Sequence, residues 1–291
     1  MDRRLLAISV VAVAALALTG CVADSSGQAA VTSSTPTASE TPTPTPTPVD
    51  PLAVVPLPAA AKVDYQLGGA YDPEPDVTVV ARDSGQQPVK DVYSICYVNG
   101  FQTQPGELWP NSLVLHDASG EKVTDPDWPD ENILDISTPD NRAAIADKIA
   151  VTVAGCAGAG FDAVEFDNLD SFTRADGAFG IEDAVAYATL LVTSAHRAGL
   201  AVGQKNTPEL GARGRDEIGF DFAVSEECQR YDECAAYTGV YGDQVIDIEY
   251  SDNMMETWTA ICEDPQLPPA SVLRDRKLLP DDKPGYVAKY C

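Results

Sequence analysis

Histidine, basic residues and long hydrophobic runs are all scarce in this sequence of 291 residues. The two histidines, His116 and His196, do not supply the histidine-rich ligand sets of catalytic zinc or a partner for a nucleophilic cysteine. Lys and Arg total 19 against 45 Asp and Glu, a net charge of −26 that disfavours nucleic acid as a partner, because nucleic acid is bound through Lys and Arg. The longest almost unbroken apolar run, Leu5–Leu18, has 14 residues and is too short for a permanent membrane-spanning helix.

The acidic balance has two interpretations. It can steer a cationic ligand toward the protein, or it can simply keep an exported protein soluble. With 44% hydrophobic residues the chain can still bury a core, so the charge belongs to the surface and does not indicate disorder.

The first 20 residues are typical of a secretory signal peptide. The charged start Asp2-Arg3-Arg4 precedes the apolar run, and the run ends in Leu18-Thr19-Gly20-Cys21, which resembles the bacterial lipobox. That motif implies cleavage before Cys21 and diacylation of its thiol. We therefore expect an exported lipoprotein held at the outer face of the cell membrane through Cys21. Ordinary secretion, with Cys21 incidental, is the alternative.

Residues 21–61 are predicted to form a tether. From Thr32 to Pro48, 15 of 17 residues are Ser, Thr or Pro, a composition that favours an extended polyproline-II spacer of roughly 3 Å per residue. The remaining residues, 62–291, are predicted to form one domain.

Six cysteines remain when Cys21 is set aside. An even number in an exported domain predicts three disulfides, for which 15 pairings exist. Two of the cysteines are close in sequence and one is terminal. We therefore expect the pairs Cys228–Cys234, Cys262–Cys291 and Cys96–Cys156.

Eight short β-branched or apolar segments alternate with helical or loop segments along the domain. Such alternation predicts an α/β fold with a parallel sheet, and eight repeats in about 230 residues predict a closed (β/α)₈ TIM barrel. The alternative is an open doubly wound sheet, but Gly158-Ala159-Gly160 lacks the third glycine of a nucleotide fingerprint and precedes a strand. The predicted strands are Val63–Leu67, Val77–Asp83, Val92–Asn99, Ile133–Ser137, Phe161–Asn168, Ala201–Asn206, Phe220–Glu226 and Val245–Tyr250.

Three helices are predicted between these strands. Thr138 followed by Pro139 is an N-terminal cap, and the helix it begins should end near Gly160. A second helix is predicted over Glu182–Ala198 and a short third one over Asp232–Tyr237.

The predicted strands end in polar residues, with carboxylates at six of the eight ends. In a barrel all of these ends lie on one face, which is where this fold carries its catalytic groups. Because side chains alternate along a strand, Glu165 and Asp167 should point to the same side, into the barrel or its mouth. Close carboxylates in a poorly solvated pocket repel, so we expect one to be protonated while its neighbour is ionised.

A third carboxylate can complete a catalytic pair. Glu226 or Glu227, at the end of the seventh predicted strand, can face Asp167 across the mouth, and two opposed carboxylates are the usual equipment for splitting a glycosidic bond. Strand alternation lets only one of the two glutamates face the cleft, and the sequence leaves the choice open.

Several short segments spread over the domain carry a family resemblance. They are Tyr65-Gln66-Leu67, Ile95-Cys96-Tyr97, Leu134-Asp135-Ile136, Gly160 to Glu165 with Asp167-Asn168 and Asp170, Lys205-Asn206, Phe220 to Val224, Glu226-Glu227-Cys228 with Tyr231 and Cys234, and Glu249-Tyr250. On these segments the chain resembles the endo-α-1,4-polygalactosaminidase family of glycoside hydrolases. The resemblance implies a (β/α)₈ barrel that hydrolyses α-1,4-linked galactosamine polymers, with Asp167 as nucleophile, Glu226 as acid/base, and neither cofactor nor metal.

The expected partner is therefore a polysaccharide, and the protein is expected to be a monomer. Galactosamine units without acetyl groups are cationic near neutral pH, so an acidic cleft would concentrate them. Lys205 either binds sugar or neutralises the acidic mouth. Five aromatic residues are candidates for sugar stacking or for the core: Trp109, Trp128, Tyr65, Tyr71 and Tyr97. The predicted substrate-binding residues are Tyr65, Gln66, Asp83, Tyr97, Asp135, Glu165, Asn168, Asp170, Lys205, Asn206, Glu227, Glu249 and Tyr250.

Two other functions remain open at this point. A surface-tethered carbohydrate-binding barrel would keep the acidic mouth and the aromatic residues, but it would not need both Asp167 and Glu226. A hydrolase dependent on a divalent metal would use the acidic cluster, but it would be expected to have suitably spaced histidines. We predict an exported glycoside hydrolase.

Overall fold

A parallel sheet with helices outside it organises the domain. The computed structural model describes residues 53–59 and 61–291, so the predicted signal peptide, Cys21 and most of the predicted tether lie outside the described residues. In this part of the chain nine strands pair in sequence order, the first eight in parallel and the ninth antiparallel to the eighth. The strands are β1 Val63–Tyr65, β2 Val79–Asp83, β3 Tyr93–Asn99, β4 Ala163–Asp167, β5 Ala201–Lys205, β6 Phe222–Glu226, β7 Val245–Tyr250, β8 Ala270–Arg274 and β9 Ala288–Tyr290.

The architecture is the predicted TIM barrel, although α-helices follow only four of its strands among the described residues. These helices are α1 Pro139–Ala159, α2 Ile181–Arg197, α3 Cys234–Tyr241 and α4 Trp258–Ile261. The cap predicted for α1 is present, because the Thr138 side chain accepts a hydrogen bond from the Asn141 amide and Gly160 ends the helix in the left-handed conformation. The third helix begins two residues later than predicted.

Seven of the eight predicted strands are confirmed, and Ile133–Ser137 is wrong as a barrel strand. Ile133 and Leu134 form only isolated antiparallel bridges, within a long segment of residues 100–138 between β3 and α1. Both are fully buried in the core outside the barrel, and a short buried apolar run has the same composition whether or not it pairs in a sheet. The eighth strand of the barrel is instead β8.

The side chains of the barrel strands divide into two cores, as alternation requires. Small and β-branched residues such as Ala81, Ala163 and Val224 fill the interior, while Val164 and Val202 face the helices. Gly203 in β5 makes room for the Phe222 ring, since a Cβ atom on this glycine would lie 2.7 Å from a ring carbon.

Arg274, fully buried at the end of β8, joins the last parallel strand to the first. Its guanidinium donates to the Tyr65 carbonyl and, at 3.3 Å, to the Asp64 carboxylate, both in β1. It also donates to the carbonyls of Val287 and Leu279 at 2.9 and 3.0 Å. One side chain therefore satisfies backbone groups on both sides of the seam.

The chain approaches the barrel at the amino-terminal ends of the strands. Leu57 and Ala61 are buried and pack onto the interior core. The Tyr93 hydroxyl, at the start of β3, donates to the Val55 carbonyl at 2.9 Å. These residues cover the end of the barrel opposite the carboxyl ends of its strands.

All three predicted disulfides are confirmed: Cys96–Cys156, Cys228–Cys234 and Cys262–Cys291. The first ties β3 to α1, the second closes the turn after β6, and the third fixes the carboxyl terminus. No helix in the described part of the chain has the length and apolar character needed to cross a membrane.

Candidate active site

A cleft of about 500 Å³ opens at the carboxyl ends of the parallel strands. One part of its lining comes from the ends of β2 to β7, and another from loop residues between β3 and α1. Predicted site residues in this lining are Asp83, Tyr97, Asp167, Asn168, Asp170, Lys205, Asn206, Glu226 and Tyr250.

Lys205, the last residue of β5, is the centre of the site. Its Nζ lies 3.1 Å from Asp167 Oδ2, 3.2 Å from Glu226 Oε2 and 3.6 Å from Glu165 Oε1. Burial opposes its charge, but the three carboxylates more than compensate and raise the pKa of Lys205 well above its usual range. The neutralising role considered for Lys205 is thus the one the geometry supports.

Asp167 ends β4 and is held as an anion. Its Oδ2 accepts from the Tyr97 hydroxyl at 2.8 Å, and its Oδ1 accepts from the Asn168 amide at 2.6 Å. Burial opposes ionisation, yet Lys205 and these hydrogen bonds outweigh it and lower the pKa of Asp167. The carboxylate is therefore available as a nucleophile at neutral pH.

Glu226 ends β6 on the opposite side of Lys205. Its Oε2 accepts from Asn206 Nδ2 at 3.1 Å, and its Oε1 accepts from the Tyr250 hydroxyl. Glu227 turns away and pairs with Arg276 at 2.9 Å. The structure therefore places Glu226, and not Glu227, in the cleft with Asp167.

Glu165 lies below this pair, inside the barrel and fully buried. Tyr65 donates to its Oε1 at 2.6 Å, while Oε2 has no hydrogen-bond partner among the described residues. Burial raises the pKa of Glu165 to about 7, with Lys205 and Tyr65 opposing the shift. The opposite shifts of Glu165 and Asp167 agree with the expectation that one carboxylate of this strand is protonated beside an ionised neighbour.

The backbone turns sharply after each of the three strands that carry the site. Asn168, Asn206 and Glu227 follow β4, β5 and β6, with φ values of 64°, 48° and 60°. Asparagine tolerates this left-handed region better than most residues, whereas glutamate does so at a cost. Such strain gathers at functional sites, where the surrounding structure holds it in place.

Besides Glu165, five predicted site residues lie outside the cleft lining. Tyr65 reaches Glu165 from the barrel interior, and Gln66 contacts Asp64 and Arg82 in a buried network. Glu249 lies on the outer side of β7, where its Oε1 accepts from the Gln229 amide at 2.8 Å. Glu227 is paired with Arg276, as described above.

Asp135, the fifth of these residues, does not end a barrel strand, because the strand predicted for it does not form. Its carboxylate accepts from Ser137 and Asn141 at the start of α1. Among the aromatic candidates, Trp128 and Tyr97 line the cleft, whereas Trp109, Tyr65 and Tyr71 do not.

Sequence reasoning missed a second group of cleft residues. Asp125, Asp127 and Glu131 come from the segment between β3 and α1, and Arg174 follows β4. The cluster of acidic residues from Asp125 to Glu131 around Trp128 was the one sign in the sequence of this part of the cleft. It was overlooked because these residues do not end a strand. Two further cleft residues, Arg276 and Lys277, follow the missed strand β8.

One cluster among the described residues has the composition of a metal site but does not fit a metal. Cys228, Asp247 and Glu249 bring three potential ligand atoms within 4.8 Å of one another. The Cys228 sulfur is bonded to Cys234, so it is not available as a thiolate. The carboxylates of Asp247 and Glu249 hold backbone amides of the turn after β6.

Two solved structures are similar to this chain. Ega3 from Aspergillus fumigatus, solved with galactosamine, is 20% identical with a TM-score of 0.66, over 84% of this chain and 100% of that one. The glycoside hydrolase domain of PelA from Pseudomonas aeruginosa is 12% identical with a TM-score of 0.49, over 75% and 95%. At these identities the likeness to Ega3 supports the fold alone.

Comparison with sequence families gives the assignment. No curated protein matches the chain. The sequence profile of glycoside-hydrolase family GH114 matches residues 43–291, which include the whole described domain and every residue of the cleft. The chain belongs to glycoside-hydrolase family GH114, and the hydrolase expected from its sequence is confirmed at the level of the family.

Proposed function

We propose that this protein cleaves α-1,4-linked galactosamine-containing polysaccharide by endo-hydrolysis, with Asp167 and Glu226 as the catalytic pair. The observation that carries the proposal is the bridge formed by Lys205, which contacts both carboxylates at the bottom of the cleft. The two contacts measure 3.1 and 3.2 Å. Their sum, 6.3 Å, is an upper limit for the separation of Asp167 Oδ2 and Glu226 Oε2.

We propose a retaining mechanism, because one ammonium group holds the two facing oxygens this close together. Retaining glycosidases hold their carboxyl groups about 5–5.5 Å apart, whereas inverting ones need roughly 6.5–9.5 Å to admit a water molecule. In the first step Asp167 attacks the anomeric carbon as Glu226 protonates the departing glycosidic oxygen, which leaves a covalent glycosyl-enzyme. In the second step Glu226 takes a proton from water, the water oxygen attacks the anomeric carbon, and the bond to Asp167 breaks.

The charge of the cleft supports a cationic substrate. Seven carboxylates and four basic side chains line it, so its formal charge is negative even with its built-in cations. Galactosamine units are protonated near neutral pH, and a negative cleft raises their local concentration. The galactosamine bound to Ega3 is consistent with this choice of sugar.

We propose further that the enzyme acts outside the cell. Three disulfides favour an oxidising compartment. Residues 1–20 would then be the signal peptide, Cys21 the lipid-bearing residue, and residues 21–61 the tether of the domain formed by 62–291.

Release of reducing ends from a panel of polymers tests the proposal. We expect activity on de-N-acetylated α-1,4-galactosaminan, falling as salt rises, because charge steering is screened beyond roughly 8–10 Å. The anomer formed first, followed by proton NMR, should have the configuration of the substrate. Full activity on neutral α-glucans with none on amino-sugar polymers would contradict the proposal.

A further inference from the structure

The carboxylates of the cleft differ in whether the protein supplies them with a cation. Asp167 and Glu226 share Lys205. Asp125 and Asp170 share Arg174, whose nitrogens lie 2.9 and 2.8 Å from them. These four carboxylates already have a counter-charge before any substrate binds.

Three cleft carboxylates have no ion-pair partner among the described residues: Asp83, Asp127 and Glu131. Both oxygens of Asp83 are occupied, one by the Gly85 amide and one by Gln104 Nε2, at 2.8 and 2.9 Å. Asp127 is exposed, so water screens its charge. Only Glu131 is both partly buried and incompletely bonded.

The two oxygens of Glu131 have different surroundings. Oε2 accepts from Asn99 Nδ2 at 2.8 Å and from Gln102 Nε2 at 2.9 Å. Within the described part of the chain, Oε1 accepts no hydrogen bond and contacts no cation. Two neutral amides thus fix the carboxylate through Oε2, and Oε1 is left in the cleft as an acceptor without a hydrogen bond from the described residues.

Glu131 is also held near Asp167. Asn99, which holds it, is the register partner of Asp167 across β3 and β4. Burial and the nearby negative charge of Asp167 raise the pKa of Glu131, while its two amide donors oppose the shift. A cation beside Oε1 would relieve that repulsion.

We propose that Glu131 Oε1 binds the C2 ammonium of the galactosamine unit that Asp167 attacks, and so selects for deacetylated sugar at that position. This inference rests on the proposed function. C2 is bonded directly to the anomeric carbon, so its ammonium group is the cationic group of the sugar held closest to Asp167 during attack. An acetylated nitrogen carries no charge and projects an acyl group toward Oε1, which then lacks a cationic partner.

The test is Glu131→Gln, measured as kcat/KM on matched de-N-acetylated and N-acetylated α-1,4-galactosamine oligomers. Asn99 and Gln102 both donate, so they should hold the carbonyl oxygen of the new amide and turn its NH₂ group into the cleft. A hydrogen bond to a charged group contributes roughly the equivalent of a tenfold to hundredfold change. We expect the preference for deacetylated substrate to fall by about that factor, with the melting temperature unchanged.

Asp130→Asn is the matched control, because it removes the same charge from an exposed neighbour outside the cleft lining. It should leave the preference unchanged. Glu131→Asp keeps the negative charge but moves it back by one methylene group. Its kcat/KM on deacetylated substrate should therefore fall less than that of Glu131→Gln. An equal decrease in the two variants would count against a charge contact.

An unchanged preference in Glu131→Gln would overturn the inference while leaving the proposed function in place. An equal loss of preference in Asp130→Asn would also overturn it, because the preference would then depend on the overall negative charge of the region and not on a contact with Glu131. If the wild-type enzyme cleaves no galactosamine oligomer at all, the proposed function fails first.

Discussion

Lys205 determines how the carboxylates of the site divide their roles. A single buried ammonium lies within 3.6 Å of three carboxylates and helps to lower the pKa of Asp167, but Glu165 is fully buried and lacks a partner for one oxygen. Asp167 has two further hydrogen bonds and therefore keeps its charge more easily. Glu165 and Asp167, which lie two residues apart on β4, therefore differ in protonation because their hydrogen-bond partners differ.

Replacement of either proposed catalytic carboxylate by its amide should strongly reduce turnover while preserving the fold. We expect Asp167→Asn and Glu226→Gln each to lower kcat by roughly 10²–10⁴-fold or more, which is the usual effect of losing acid–base catalysis. The decrease is measured by reducing-end release. Glu227→Gln is the matched control, since its side chain pairs with Arg276 and does not line the cleft. Near-normal turnover in Asp167→Asn would refute the assignment whichever glutamate is its partner.

Glu165 should make the stability of the domain depend on pH. Its pKa rises from 4.5 to about 7 on folding, so between these values the folded state binds more protons than the unfolded state. The associated stability is present below pH 4.5 and is lost as pH rises through 7, by up to about 3 kcal/mol. Measured by denaturant unfolding, the unfolding free energy of the wild type should fall relative to that of Glu165→Gln as pH rises through this window. If the unfolding free energies of the two proteins changed in parallel with pH, the prediction would be contradicted.

Much of the site was predictable from single residues because parallel strands bring their ends together. Asp167, Lys205 and Glu226 each end a strand that composition identifies. Glu131 and Arg174 were not predictable in this way, since segments outside the strands bring them to the cleft. The choice between Glu226 and Glu227 required the observed register, because one residue of slip exchanges the two faces of a strand.

At the level of the strands, Gly203 and Phe222 set the packing between β5 and β6. A Cβ atom at position 203 would meet two carbons of the Phe222 ring at 2.7 and 2.9 Å. We therefore expect Gly203→Ala to destabilise the domain by about 1–3 kcal/mol, as overpacked cores generally do, measured by denaturant unfolding.

Gly239→Ala is the control for this substitution. Gly239 lies inside α3, and an added Cβ atom there has no neighbour within 4 Å. It should raise stability by roughly 0.5–1 kcal/mol, because glycine disfavours the helix interior. Equal destabilisation by both variants would mean that the ring contact is not the cause.

The sequence predicted best those elements whose ends are marked by capping or terminating residues. The α1 helix has a threonine cap, a proline in its first turn and a terminal glycine, and each lies where the sequence predicted it. By contrast, Ile133–Ser137 and Ala270–Arg274 are both short apolar runs, and only the second pairs in the sheet. Their difference lies in tertiary partners, which periodicity does not encode.

At the scale of the whole molecule, Arg274 links the last parallel strand to the first. We expect Arg274→Met to cost about 3–5 kcal/mol in unfolding free energy, because it leaves the buried Asp64 carboxylate without its cation and several carbonyls without a donor. The control is Arg213→Met, which breaks solvent-screened ion pairs with Glu182 and Glu217 and should therefore cost far less. Similar losses in the two variants would refute a special role for the seam.

The segment around Leu57 attaches at one pole of the barrel and the cleft opens at the other. Under the anchoring proposed above, the domain would therefore be attached to its support from the pole opposite its opening, and a polymer could reach the cleft without passing the point of attachment.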